Sequence, residues 1–484
     1  MEVINILRKE YIDLEEKYHI LAIKNEELEA ENNQFKSEQI KQKVQAVNKT
    51  VNQPTSKQPE WETKGVGNDG KGKKKGRGHK GRKGAGNKTK NLIVTHHETA
   101  KVERCDICGR DLSDQPPLKS ENTRTIEDIP EIPIVLKVIE VKQEKKYCHH
   151  CKQVITASTD LALPRADFGL NTTISIIYLW TVLCLSFTKI SDYLNNFFGQ
   201  KISTSGLSDH IIAVSKIMKA VYDEILNDVK SGNILHADET GWRVSGKNWW
   251  LWVFGTIYSV FYTIDKSRGS DVVRRVLGEI FFGVLVVDGW KAYLATECKQ
   301  QSCMAHLLRK IRKLNEAFPQ LGSVYKFYIK FRKILRDGER LQKQREELGE
   351  GVFKRRLDKL HTRLDELLKW ANPNDILKDI IAKVDRQRPR ILTFVEHPGV
   401  ACHNNFGEYL IRIGVLKRKI SFGSKSVKGA EAYAVLLSIC STCKLRDIPF
   451  LDFMKTSLKH YIRTGKPMLL KEYQDHIMNA ALAA

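Results

Sequence analysis

The chain has 484 residues, which is too long for one small domain and predicts two or three globular units joined by linkers. Its 80 Lys and Arg residues against 57 Asp and Glu residues leave a formal charge of +23, typical of a protein that binds nucleic acid, although an anionic membrane surface would attract such a chain too. Ten cysteines, four of which form two close pairs between residues 105 and 151, argue against a secreted disulfide scaffold and favour a reduced, metal-binding protein.

The N-terminal residues are charged and contain no apolar signal core. The most apolar stretch, about 174–187, is too short to cross a bilayer and predicts a buried helix. We therefore expect a cytoplasmic protein that has no membrane partner.

Residues 1–40 carry a heptad pattern. Leucine recurs every seven residues from Leu7 to Leu28, and the second seam position runs from Ile4 to Asn32 and ends in two asparagines. This pattern predicts a coiled coil through which the chain forms a homo-oligomer. The alternative is a helix that packs on its own protein.

Residues 41–92 lose this periodicity. The segment 71–90 holds ten Lys and Arg residues, no acidic residue and many glycines, which predicts a flexible basic linker. We expect this arm to follow DNA phosphates without reading sequence, and the alternative is a solvated linker. The expected phosphate contacts are Lys73, Lys74, Lys75, Arg77, Lys80, Arg82 and Lys83.

Residues 93–160 hold two Cys-x-x-Cys pairs, and the stretch before the second pair alternates as a strand does. Four thiolates in this pattern can form the tetrahedron of a structural zinc site, although His149 or His150 could replace one of them. The alternative is four free cysteines in a small β unit. The predicted zinc ligands are Cys105, Cys108, Cys148 and Cys151.

Residues 161–230 look helical and contain two amphipathic patterns, 187–199 and 203–216, around a short polar turn. Ser203 and Thr204 are suitable N-caps for the second helix. The pair predicts either a helix-turn-helix that binds DNA or an ordinary helical hairpin, and the pattern does not choose between them.

Residues 231–440 change to an α/β pattern of strand, hairpin, helix and strand. A charged helical insertion at about 313–400 interrupts this unit, either as a solvated hairpin or as a basic element that grips DNA. A helix from about Asn404 to Val415 and a basic turn follow it, and residues 441–484 form a helical C-terminal segment.

Two aspartates, Asp238 and Asp288, each close an apolar strand. Burying unpaired carboxylates is costly, but acids that neighbouring strands project into one cleft attract a hard cation such as Mg²⁺ or Mn²⁺. A third acid from a later helix would let two ions sit about 3.5–4 Å apart, as phosphoryl transfer requires. Glu239 and Asp265 are rival acids nearby, and the pattern alone does not choose the third member.

Four motifs occur in a fixed order along the chain. They are HADETGW at 236–242, DGWKAY at 288–293, CMAHLLRK at 303–310 and NNFGEYLIR at 404–412. Together with the zipper, the Gly/Lys arm and the cysteine pairs, they resemble the large transposase of the insertion-sequence 66 family, a group of DDE transposases. The resemblance covers nearly the whole chain.

This resemblance implies a multidomain α+β protein. Its parts would be the coiled coil, the small zinc-knuckle β domain, an RNase H-like α/β catalytic domain with a helical insertion, and the helical C-terminus. The catalytic triad would be Asp238, Asp288 and Glu408, holding two Mg²⁺ or Mn²⁺ ions. The implied reactions are cleavage at the element's ends and attack of the freed 3′-OH on target DNA.

The resemblance also implies partners, namely double-stranded DNA of the terminal inverted repeats and of the target, and small accessory transposition proteins. Basic residues beside the second and third acids are expected to hold DNA, although a capped, solvated helix would also explain the first three. They are His306, Arg309, Lys310, Arg412, Arg418 and Lys419.

Two residues depart from the family's pattern: His403 stands where an acidic residue is expected, and Tyr409 where a basic one is. They bear on the assignment of Glu408 and on whether this copy is active. The alternatives are a catalytically silent zinc-containing DNA-binding protein derived from a transposase, and an RNase H-like nuclease that acts on RNA or hybrids.

Overall fold

The computed structural model describes residues 107–114, 136–150, 152–157, 159–370 and 375–483. The predicted coiled coil at 1–40 and the predicted basic arm at 41–92 lie outside these residues. Within the described ranges, none of the helices combines the length and the apolar character that crossing a bilayer requires.

The described residues form a mixed α+β protein with fourteen α-helices and seven strands. The strands are β1 (Lys145–Cys148), β2 (Gln153–Thr156), β3 (Ile234–Val244), β4 (Lys247–Gly255), β5 (Val260–Asp265), β6 (Ile280–Val287) and β7 (Glu297–Ser302). The helices before β7 are α1 (Leu170–Thr181), α2 (Phe187–Phe198), α3 (Thr204–Ile217), α4 (Lys219–Lys230) and α5 (Ser270–Leu277). The helices after it are α6 (Met304–Ala317), α7 (Gly322–Lys343), α8 (Glu350–Leu368), α9 (Asp375–Asp385), α10 (Thr393–Glu396), α11 (Asn405–Ser421), α12 (Val427–Leu445), α13 (Phe450–Thr464) and α14 (Leu470–Ala483).

A small antiparallel hairpin of β1 and β2 carries Cys148 at its turn. The alternating stretch that precedes Cys148 predicts a longer strand, yet residues 136–144 lie outside any strand. Among the predicted zinc ligands, Cys108 is exposed and Cys148 is half-buried, while Cys105 and Cys151 lie outside the described residues. The zinc site therefore stays a prediction.

The two amphipathic patterns before the sheet form α2 and α3, as their sequences predict. Ser186 caps α2 by accepting a hydrogen bond from the backbone N–H of Lys189, and Gly199 ends it with φ of +66°. Ser203 caps α3 through the N–H of Gly206. Both helices pack into the main core, and whether they read DNA stays a prediction.

The larger sheet has the strand order β5-β4-β3-β6-β7. β3, β4 and β5 form an antiparallel meander, while β3, β6 and β7 run parallel. The expectation that Asp238 closes its strand is wrong, because β3 continues to Val244 by pairing with β4. Its pairing with β6, however, covers only Ile234–His236, so Asp238 lies just beyond the parallel part.

Alternating residues of the central strands face two different cores. Leu235 and Leu285 belong to the larger core, which packs against helices α1–α5 and α12. Val284 and Val286 belong to a second core, built with the helices that follow β7. The helical insertion is therefore a packed unit that covers the face of β6 on which Val284 and Val286 lie.

Candidate active site

The strand register brings the two aspartates to one place. His236 of β3 pairs with Val286 of β6, and each aspartate lies two residues further along its own strand. Because side chains two residues apart point to the same face, Asp238 and Asp288 are neighbours on the face of the second core. Both are half-buried.

Glu408 reaches the same place from α11. It lies in the first turn of that helix, is 4% exposed, and its Oε1 is 3.7 Å from Nε2 of His306. Its charge is one of those that raise the pKa of Asp238. The structure thus groups all three acids of the predicted triad on one face of the sheet.

The charges of these acids work against one another. Burial raises the pKa of Asp238 well above its ordinary value, and the charges of Glu239, Asp288 and Glu408 raise it further. The hydrogen bonds that Asp238 and Asp288 accept come from backbone N–H groups, those of Glu239 and Trp290, both at 2.9 Å. In the described part of the chain, no Lys or Arg forms an ion pair with either aspartate.

The rival acids are neutralised by the protein itself. Glu239 points to the opposite face, where Arg268 donates two hydrogen bonds to it (3.1 and 2.9 Å) and the Tyr293 hydroxyl donates a third (2.5 Å). Asp265 forms an ion pair of 2.5 Å with Arg275. Neither acid therefore has its charge available to a ligand in the way that Asp238 has.

Carboxylate oxygens of this kind are the ligands that Mg²⁺ and Mn²⁺ take, so the donor set fits a divalent cation. Within the described residues, however, no three His, Cys, Asp or Glu side chains are already arranged as a metal site. The acids share a face, but they would have to close around an ion.

The predicted basic residues after β7 lie on α6. His306, Arg309 and Lys310 have the spacing that places side chains on one helix face. Burial and the charge of Arg309 lower the pKa of His306, which favours the neutral ring. Lys310 is half-buried, and its pKa falls to about 8 through burial and the charges of Lys383 and Arg386.

Sequence reasoning missed the segment that follows α9. Gln387 packs against Gly289, the residue after Asp288: a Cβ at that glycine would lie 3.3 Å from the amide oxygen of Gln387. Arg386 comes from the same segment, and Lys383 lies just before it in the last turn of α9. The sequence shows only that this segment is basic. Its position beside Asp288 depends on how the insertion folds back onto the sheet, which local sequence patterns do not indicate.

The predicted basic residues after Glu408 lie within α11. The expected helix end near Val415 is wrong: no glycine or proline follows until Gly423, and the helix continues to Ser421. Arg412 and Lys419 are exposed. Arg418 donates hydrogen bonds to the backbone carbonyl of Gly241 and, at 3.0 Å, to the Thr240 hydroxyl, so part of its guanidinium ties α11 to β3.

Comparison with known proteins identifies a family. The model of the family described as "Transposase IS66 family" matches residues 167–432, a range that contains the sheet, the insertion and α11. "Uncharacterized protein y4hP" of Sinorhizobium fredii (strain NBRC 101917 / NGR234) is 24% identical over 389 residues, which cover 71% of this chain and 68% of that protein. "Uncharacterized protein y4qI" of the same organism is 23% identical over 295 residues, covering 54% of this chain and 53% of that protein.

Proposed function

The chain belongs to the IS66 family of transposases, and we propose that it cleaves DNA at the ends of an insertion sequence and joins the freed 3′-OH to target DNA. One observation carries this proposal. Asp238 and Asp288 occupy matching positions in adjacent strands, Glu408 faces them, and the aspartates form no ion pair with a described Lys or Arg.

In this proposal the larger sheet and α11 form an RNase H-like catalytic domain. The meander β3–β5 continued by parallel β6 and β7, with α11 packed on β3 and β4, supports that assignment. The insertion of α7–α10 stands between the second and third acids of the chain, as the family resemblance implies.

Asp238, Asp288 and Glu408 would hold the divalent cations. When bound, these ions supply the positive charge that activates the attacking oxygen and stabilises the leaving 3′ oxygen. The protein's own share is to keep three mutually repelling carboxylates on one surface. His306, 3.7 Å from Glu408, limits the directions in which that carboxylate can turn.

DNA would approach across the basic residues that border the acids. Lys310, Lys383 and Arg386 lie close enough to act on one another's charge, and none of them forms an ion pair with a described carboxylate. Such a cluster is suited to a phosphate of the strand being cut. The arm at 71–90 would add contacts that do not depend on sequence.

Because two DNA ends must be joined, at least two active sites are needed, and the heptads at 1–40 are the proposed means of self-association. Zinc on the two cysteine pairs would be structural, since four protein ligands leave no open position. Small accessory proteins belong to the proposal through the family resemblance.

A second candidate is a DNA-binding protein without catalysis. The observation in its favour is that His403 and Tyr409, beside Glu408, depart from the residue types that the family resemblance leads us to expect. The two candidates differ in one measurable property, which is whether the protein cuts DNA when a divalent metal is supplied.

The test is to incubate the full chain with duplex DNA that carries the terminal inverted repeats, in Mg²⁺ or Mn²⁺. Nicked and joined products are expected, and Asp238→Ala should abolish them while DNA binding is retained. Binding without cleavage by the wild type in either metal supports the second candidate. If Asp238→Ala cleaves DNA as well as the wild type does, the proposed mechanism is wrong. If the wild type cuts RNA–DNA hybrids faster than duplex DNA, the protein is a nuclease of that class.

A further inference from the structure

Asn404 is a buried amide at the junction of the elements that carry the three acids. It is 1% exposed and directly precedes α11. Its amide oxygen accepts a hydrogen bond from Nδ1 of His236 at 2.9 Å, and its amide nitrogen donates to the carbonyl of Ala237 at 2.8 Å. Both polar atoms of the side chain therefore bind β3 immediately before Asp238.

The backbone of Asn404 connects to the other two acids. Its N–H donates to Sγ of Cys303 at 3.1 Å, and the N–H of Cys303 donates to the carbonyl of Val287, which precedes Asp288. Its carbonyl accepts the first hydrogen bond of α11, from the N–H of Glu408 at 3.0 Å. One residue thus links the backbones that carry all three carboxylates.

We propose that Asn404 is a positioning residue that sets the separation of Glu408 from Asp238, and so controls how tightly the site binds a divalent cation. This inference rests on the proposed transposase function. The carboxylates repel one another, so the chain must hold them together before an ion arrives, and the hydrogen bonds of Asn404 oppose the withdrawal of α11 from β3.

Gly407 supports this role independently. A Cβ at this position would lie 2.6 to 2.9 Å from the side-chain atoms of Asn404, closer than real contacts allow. Glycine costs about 1 kcal/mol relative to alanine inside a helix, so Gly407 works against the stability of α11. Its absence of a side chain is what lets the Asn404 amide lie flat between the helix and β3.

The chain offers a matched control in Asn405. It is the same residue type at the next position, half-buried, and in the described residues its side chain makes no hydrogen bond. Asn404→Ala and Asn405→Ala therefore remove the same group, and they differ in whether that group bridges β3 and α11.

The experiment measures Mn²⁺ binding by calorimetry in the absence of DNA, with the Mg²⁺ concentration for half-maximal cleavage as a second readout. Residues that orient metal ligands typically contribute 10- to 100-fold to metal affinity, and we expect a weakening of about that size for Asn404→Ala. Asn405→Ala should bind Mn²⁺ within about twofold of wild type, and DNA binding without metal should be unchanged in both. Gly407→Ala should weaken Mn²⁺ binding in the same direction, although alanine favours the helix.

If Asn404→Ala does not fold, Gly407→Ala becomes the test, because its Cβ displaces the Asn404 side chain without changing the charge of the site, and weaker Mn²⁺ binding is again expected. A double variant, Asn404→Ala with His236→Ala, should bind Mn²⁺ no more weakly than Asn404→Ala alone, because His236 acts through its hydrogen bond to Asn404. Mn²⁺ affinity equal to that of Asn405→Ala would overturn the positioning role. That result is separate from failure of the proposed function, which Asp238→Ala tests.

Discussion

Asp238 and Glu239 are neighbours in β3 and burial raises the pKa of both, yet the two carboxylates have different partners. Glu239 faces the larger core, where the guanidinium of Arg268 pairs with it and the hydroxyl of Tyr293 donates a hydrogen bond to it. Asp238 faces the second core, where Asp288 and Glu408 add further negative charge. A strand places consecutive side chains on opposite faces, so one residue step separates an acid paired with a cation from an acid that faces two other carboxylates.

Aromatic rings fix the position of Arg268, the partner of Glu239. The guanidinium of Arg268 lies between the rings of Trp250 and Trp290, 4.4 and 4.2 Å from their centres. Trp290 donates its indole N–H to the carbonyl of Arg268 and its backbone N–H to Asp288. Trp290 therefore connects the Arg268–Glu239 pair on one face of the sheet to Asp288 on the other.

The strongest test of the difference between Asp238 and Glu239 is the substitution Asp238→Asn. We expect cleavage to fall by at least about 10³-fold, because the proposed function makes Asp238 a metal ligand. We also expect a higher Tm at neutral pH, because the substitution removes a repelled charge from a half-buried site. Calorimetry and a cleavage assay on the same preparation measure both. A variant that loses both Tm and cleavage would show that Asp238 stabilises the fold, as Glu239 does.

Arg268→Ala tests the opposite face. It leaves the buried carboxylate of Glu239 without its cation, and we expect the free energy of unfolding to fall by about 3 kcal/mol. The control is Arg275→Ala, whose side chain is 56% exposed and whose ion pair with Asp265 should contribute about 1 kcal/mol or less. Urea unfolding gives both values. If the free energy of unfolding falls equally in the two variants, the buried Arg268–Glu239 pair contributes no more to stability than an exposed ion pair.

We expect a smaller effect, on DNA binding, from the basic residues that border the three acids. Lys383→Ala with Arg386→Ala should reduce the slope of log K against log salt for DNA binding by up to about 2, because each phosphate contact contributes about 0.9. The control removes the same charge from the same insertion, at Lys354 and Arg355 on the exposed surface of α8. If both double variants change the slope equally, the effect is one of net charge and no phosphate site is present.

The parts of this comparison differ in how far sequence predicts them. Local patterns predicted α2 and α3 correctly, because caps such as Ser186 and Ser203 and the terminating Gly199 lie within the elements themselves. Asp288 follows its apolar strand as expected. Asp238 does not, because the length of β3 depends on pairing with β4, and an apolar run cannot reveal where a partner strand stops.

The opposite roles of Asp238 and Glu239 were beyond local reasoning altogether. Glu239 is neutralised by Arg268 and Tyr293, 29 and 54 residues further along the chain. Nothing in the run HADE indicates which acid will meet a cation. Glu408 came from the family resemblance, and its proximity to Asp238 depends on contacts between segments about 170 residues apart.

Helix α11 also carries a buried charge, and this one is positive, unlike the acids of β3. Lys417 is 3% exposed, and its ammonium donates to the carbonyls of Trp180 and Leu185 at 3.0 and 2.9 Å. Burial lowers its pKa to about 8, and the nearby thiol of Cys184 opposes that shift. Because the folded state releases this proton at lower pH than the unfolded chain, Lys417 should make stability rise with pH from about 8 towards the ordinary lysine pKa of about 10.4.

The expected gain is about 1 kcal/mol between pH 8 and pH 9. Burial raises the pKa of Cys184 and so acts in the opposite sense, which makes the difference between wild type and Lys417→Met the quantity to measure. Urea unfolding at the two pH values should show the wild type gaining that much relative to Lys417→Met. If the stability of the two proteins responds equally to pH, the hydrogen bonds to the carbonyls of Trp180 and Leu185 offset the whole free-energy cost of burying the Lys417 charge.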